Sequence, residues 1–302
     1  MRETLTIVVA VLLASISVQI CLADDTQQKS SAQVISATKP SLIPPPRREI
    51  PGRRLEIAPK QEIYVPEFFS QPADATEFAL VVFFHGASWC AEQNFYDARK
   101  NAVLLTVNQT DPLPFSVMGQ ALPEILERTE QRLLDEGLVS GRISALCITS
   151  FSGGYVAVRE ILKVPEIVNR VTDVVLADSL YAPRIPEATD QLEPSALEPF
   201  LNYARQASTG KGHFWFSHLF PPEEQHRGNT TTLAARYLLD KLQVQMRSAS
   251  DKNSRGASLL YRADKGNFHV LGYAGMTTQD HFEHFYALSD LLRLTSIPDA
   301  TQ

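Results

Sequence analysis

Ser152 stands in Ser150-Phe151-Ser152-Gly153-Gly154, directly after the apolar run Ile143, Ala145, Leu146, Cys147, Ile148 and before residues with helical spacing. A serine on a tight strand-to-helix turn is held in a strained backbone conformation with its hydroxyl pushed out. The residues two positions to either side must be small so that strand and helix can approach each other. Ser150 and Gly154 meet that demand. A hydroxyl placed this way becomes a nucleophile when a base takes its proton, an acid orients that base and N–H donors await the oxyanion. The competing reading is a Ser152 that only caps the helix starting there.

Donors are the first of those parts to be found. Phe83-Phe84-His85-Gly86-Ala87 closes a strongly buried run with a small-residue loop, so the backbone N–H of Gly86 or Ala87 is a candidate oxyanion donor. Gly153, directly after the serine, supplies the second.

With a His-Gly loop, the elbow, an aspartate after the next strand and a late histidine before the last helix, the chain resembles an α/β-hydrolase-fold serine hydrolase of the esterase and lipase type. The likeness runs from roughly Arg54 to the end, in the family's order serine, acid, histidine. The departure is Ser150, where that family usually has glycine. The resemblance implies a single-domain α/β fold: a mostly parallel central sheet with helices on both faces. It also implies hydrolysis of a carboxylic ester through an acyl-enzyme on Ser152, with an amide remaining open. The acid is Asp178, at the end of Val174-Val175-Leu176-Ala177, where open sheets carry their ligand sites. Its alternative is a turn cap. The family's topology places the base after the last strand, which selects His281 among the late histidines His218, His269, His281 and His284. His284 is the second choice, and His269, mid-strand, the third.

Two rival functions remain at this level. His281-x-x-His284 beside Asp280 and Glu283 suggests a metal-dependent hydrolase, but helical ligand pairs are usually four apart and no set of cysteines or carboxylates completes the site. The other rival is a secreted protein that keeps the fold and only binds. No glycine-rich phosphate loop, pyridoxal signature or flavin signature occurs, so neither cofactor nor metal is expected.

These residues must be positioned by alternating elements. Strands are expected at 55–57, 62–65, 78–84, 102–107, 143–148, 171–177, 213–219, 258–261 and 268–273. Helices are expected at 123–136 with Pro123 in the first turn, after Ser152 to Pro165, at 194–207, at 230–242 and from Asp280 to about Leu294. For the last of these, Asp280 and Glu283 have capping-box spacing. Strands alternating with helices specify the parallel sheet independently of any resemblance.

The 302-residue chain opens with Met1-Arg2-Glu3, an apolar stretch from Leu5 to Ile20, and Cys21-Leu22-Ala23 before Asp24-Asp25, the layout of a signal peptide at 1–23. Residues 24–55, rich in Ser, Gln, Thr, Pro and Arg, read as a disordered spacer, and 56–302 as the catalytic domain. The expected location is therefore outside the cell, in the periplasm or at the cell envelope, with an uncleaved membrane anchor as the alternative. A net charge of −6 without a basic run excludes nucleic acid as a partner. The expected partner is a small-molecule or polymer-attached ester, and peripheral membrane or envelope contact fits the export signal. Cys90 and Cys147 are too few for a disulfide framework. Asn108-Gln109-Thr110 and Asn229-Thr230-Thr231 match the glycosylation pattern.

Overall fold

In the computed structural model, which describes residues 44–110, 113–186, 188–223 and 230–301, the apolar runs become strands of one ten-stranded sheet. Met1–Ser41 lies outside the described residues, and Leu42–Gln302 forms one unit. The expected signal peptide falls on the undescribed part. The strands are β1 (Gly52–Ala58), β2 (Gln61–Pro66), β3 (Glu77–Phe84), β4 (Val103–Val107), β5 (Arg142–Phe151), β6 (Val171–Ala177), β7 (Arg184–Ile185), β8 (Ala188–Leu192), β9 (His213–Phe220), β10 (Arg247–Ser248), β11 (Leu259–Lys265) and β12 (Phe268–Ala274). The helices are α1 (Ser88–Ala98), α2 (Met118–Asp135), α3 (Tyr155–Ile161), α4 (Pro165–Val168), α5 (Pro194–Ser208), α6 (Thr230–Leu242), α7 (Thr278–Tyr286) and α8 (Leu288–Arg293).

The sheet order is β1-β2-β4-β3-β5-β6-β9-β12-β11-β10, and β7 pairs with β8 separately. From β4 to β12 every pairing is parallel; the outer strands pair antiparallel. Parallel strands need cover on both faces, and their period of two decides which side chain goes where. In β3, Phe78, Leu80, Val82 and Phe84 join the core beneath α2, α3, α5 and α6. Ala79, Val81 and Phe83 join the core beneath α1, α7 and α8. The strand order reverses at β3, with β4 on one side and β5 on the other. Ligands of open α/β sheets bind above the carboxyl ends at such a reversal, where His85 and Ser152 emerge.

Three local expectations are corrected. Residues 44–51 have no regular secondary structure but are fixed along α1: Ile50 is buried, Gln93 Nε2 donates to the Pro46 carbonyl and Arg48 pairs with Asp97. With β1 starting at Gly52, the ordered domain begins inside the expected spacer. Helix α2 starts at Met118, so Pro123 lies within it; the extra turn buries Met118 and Leu122, which outweighs the one hydrogen bond that proline cannot donate. The final helical stretch breaks at Ala287 into α7 and α8, and its capping box is Thr277 with Asp280 rather than Asp280 with Glu283. Cys90 and Cys147 are both free and buried.

The turn after β5 is the tightest packing near the crevice. A Cβ on Gly154 would lie 2.3 Å from the Phe84 carbonyl oxygen and 2.9 Å from Ser150 Cβ, whereas one on Gly153 meets nothing closer than 3.7 Å. Ser150 and Gly154 therefore face each other, and a serine fits at 150 because 154 has no side chain. Gly154→Ala is expected to cost roughly 1–3 kcal/mol by forcing backbone apart, lowering Tm by about 2–4 °C for each kcal/mol in a domain this size. Gly153→Ala should melt near the wild type in the same calorimetric scan. Equal losses would show that the close approach is not what glycine serves.

Candidate active site

Among the described residues, only six non-glycine residues have positive φ, and three of them sit at strand ends around the reversal: His85 (70°), Ser152 (49°) and Asp178 (42°). Such conformations cost energy unless packing over-determines them, and they gather at functional sites. Register explains their proximity. Phe151 pairs with Ala177 and Phe84 with Ser150, so Ser152 and Asp178 are the next residues off adjacent strands.

Asp178 is buried and heavily bonded. Its Oδ2 accepts from His281 Nδ1 at 2.6 Å, its Oδ1 from the Leu219 amide at 3.1 Å, and its own amide donates to the Ser217 carbonyl. Burial alone would raise its pKa; the His281 hydrogen bond, the charges of His284 and His281 and the Thr231 hydroxyl outweigh that and hold it below the usual carboxylate range. Because a carboxylate only accepts, the His281 proton sits on Nδ1, and Nε2 is left with a free lone pair. His281 is the fourth residue of α7, and its ring stacks on Phe151, centroids 4.5 Å apart. Phe151 thus ties the base to the residue next to the candidate nucleophile. Ser152 and His281 share no hydrogen bond here; close by, burial pushes the pKa of the Tyr181 phenol well up. Bonds between nucleophile and base are often loose until substrate arrives.

The loop after β3 brings one correction. The Gly86 amide already donates to Asn108 Oδ1 at 3.1 Å, and Asn108 Nδ2 donates back to the Gly86 carbonyl at 3.0 Å. Gly86 is therefore spent as an oxyanion donor, which leaves Ala87, the residue before α1, as the candidate donor of this loop. Gly153 lies in the first turn of a 3₁₀ helix at Ser152–Gly154, where amides lack intrahelical partners. The His85 ring packs 3.7 Å from where a Gly153 Cβ would be, and burial followed by the nearby His281 charge lowers its pKa. Asn108 matched the glycosylation pattern, yet its carboxamide is clamped to the loop. Its position was legible only through strand pairing, since Val107 lies beside Phe84 in the sheet. Asn229 lies outside the described residues.

The other histidines go elsewhere. His284 is buried, its Nδ1 on Ser217 Oγ at 2.9 Å, behind the acid rather than before the serine. His269 lies near the amino end of β12, stacked on Trp215 at 3.8 Å and bonded to Asp264 at 2.6 Å, away from the carboxyl ends that carry Ser152 and Asp178. His218 points into the core, bonded to the Leu219 carbonyl and the Tyr261 hydroxyl. His281 and His284, the proposed metal pair, turn to different partners, Asp178 and Ser217. Among the described residues no group of three or more His, Cys, Asp or Glu side chains is placed to hold an ion.

The strand order, the reversal at β3 and the elbow serine at the end of β5 are those of the α/β-hydrolase fold. No protein-family model matches the chain, and no curated protein does. Among solved structures it is similar to an esterase from Pyrobaculum calidifontis (10% identity, 78% of this chain and 81% of that one, TM-score 0.41). It is also similar to a poly(3-hydroxybutyrate) depolymerase from Bordetella parapertussis (13%, 80% and 85%, 0.42), and to carboxyl esterase 2 from Tuber melanosporum (12%, 84% and 88%, 0.43).

Complete burial lowers the pKa of His284 from 6.5 to about 4. In the unfolded chain this histidine takes a proton below 6.5 that the folded protein refuses until about 4. Stability therefore falls as pH drops through that window, by at most about 1.4 kcal/mol per pH unit. His284→Asn, which keeps a polar partner for Ser217, should flatten the fall in urea midpoint between about pH 7 and about pH 5. An unchanged slope would mean that His284 does not carry it.

Proposed function

We propose that the chain is an exported serine hydrolase that cleaves a carboxylic ester through an acyl-enzyme on Ser152. The observation that carries the proposal is the 2.6 Å Asp178–His281 hydrogen bond beside a serine held at positive φ. His281 Nε2 takes the Ser152 proton as Oγ attacks the carbonyl carbon. Asp178 fixes the tautomer and stabilises the imidazolium that forms. The Ala87 and Gly153 amides receive the oxyanion. On collapse His281 returns the proton to the leaving alcohol, and water then repeats the sequence on the acyl group.

Phe282 gives the base an exposed apolar neighbour: its ring lies 5.9 Å from that of His281 and 5.5 Å from that of Phe151. That surface supports an ester with an apolar acyl or aryl part. The rival reading, a fold that binds without turnover, is favoured by one observation, the absence of a Ser152–His281 hydrogen bond. Export rests on the amino-terminal sequence alone, and secretion from a suitable host with mass analysis of the mature amino terminus tests it.

An aryl ester panel of graded acyl length separates the two readings. Wild-type protein should turn over, and Ser152→Ala and Asp178→Asn should each lose on the order of 10⁴-fold in kcat while melting as the wild type does. Reaction with a fluorophosphonate should add one label to the wild type and none to Ser152→Ala. A folded wild type that neither labels nor turns over any ester would leave the binding reading standing.

A further inference from the structure

Ser150 is the one place where the elbow departs from the pattern it resembles, and its hydroxyl is not idle. Ser150 Oγ lies 2.8 Å from Ser179 Oγ, and Ser179 Oγ donates to the Ser152 carbonyl, also at 2.8 Å. The direction of every proton follows. A carbonyl only accepts, each serine has a single hydroxyl proton, and Ser179 spends its own on Ser152. Ser150 must therefore donate to Ser179. Both side chains are fully buried, so no solvent competes, and an unpaired hydroxyl there would be costly.

The carbonyl at the end of this relay belongs to the peptide whose N–H is that of Gly153. In a planar trans peptide these two groups point in opposite directions. Holding the Ser152 oxygen inward, toward the residue after Asp178, turns the Gly153 N–H the other way. We propose that Ser179, backed by Ser150, is a positioning residue that aims the Gly153 amide at the developing oxyanion. The inference rests on the serine hydrolase reading and deepens it. Ser150, Ser179 and the Ser152 carbonyl form one hydrogen-bonded chain, anchored on the residue that follows Asp178, and a serine at 150 supplies its first donor. Ser179→Ala need not unfold the turn, because the Tyr155 amide also reaches the Ser152 carbonyl.

The test compares the wild type, Ser179→Ala and Ser150→Gly on one aryl ester and one arylboronic acid, whose tetrahedral adduct mimics the oxyanion. Ser179→Ala should lose roughly 10- to 100-fold in kcat with KM within about threefold, less than the loss from deleting a donor outright. Boronate affinity should fall by a similar factor. The pH midpoint of kcat/KM should not move, since Asp178 and His281 keep their contacts; a general loosening of the site would shift it. Ser150→Gly, which leaves the Ser179 bond to the carbonyl intact, should lose less. Wild-type kcat and boronate affinity in Ser179→Ala overturn the proposal, as does a loss confined to KM or accompanied by a shifted pH midpoint. A wild type that fails to react with fluorophosphonate removes the hydrolase reading and the relay together. Normal wild-type labelling with an unimpaired Ser179→Ala removes the relay alone.

Discussion

The hydrogen bond from His281 Nδ1 to Asp178 Oδ2 joins residues 103 positions apart, and most of the site's order follows from it. A carboxylate stays ionised inside a core only when donors surround it. Asp178 has them because β6 ends at Ala177 opposite Ser217 while β9 runs on to Phe220, which brings the Leu219 amide to its other oxygen. Thr231 reaches it from the start of α6. The acid is thus assembled by two neighbouring strands and two helices, and its charge in turn fixes which nitrogen of His281 holds the proton. Without the parallel register of β5, β6 and β9, neither the carboxylate nor the imidazole would have a reason to be there.

Strain at the elbow is sustained by the same packing. Ser152 is held at a φ of 49° by a strand whose flanks are locked to β3 and β6 and by a helix that starts where Gly154 touches the Phe84 carbonyl. His85 and Asp178, also at positive φ, end the strands on either side of β5. Three unfavourable conformations within one crevice are stable together because two apolar cores grip the sheet beneath them.

The architecture was legible because buried runs such as Phe78–Phe84 and Val171–Ala177 alternate with periodic helical segments, a pattern that few folds satisfy. Ser152, Asp178 and His281 were legible from local chemistry and chain order, and the structure brings the acid and the histidine into direct contact. What stayed hidden depends on which strands become neighbours. Asn108 looked like a surface acceptor until β4 was seen beside β3, where its carboxamide occupies the Gly86 amide. Ser150 read as an imperfect glycine until Ser179 was placed next to it. Boundaries failed where tertiary burial overrode local signals, as at Pro123 inside α2 and at Ile50 ahead of β1.

A crystal structure of the protein after reaction with a small alkyl fluorophosphonate tests the central claim most directly. The account predicts phosphorus on Ser152 Oγ, the phosphoryl oxygen within hydrogen-bond distance of the Ala87 and Gly153 amides, and His281 Nε2 turned toward the serine with Nδ1 still on Asp178. Phosphorus on any other side chain, or an adduct on Ser152 whose oxygen faces away from both amides, would contradict it.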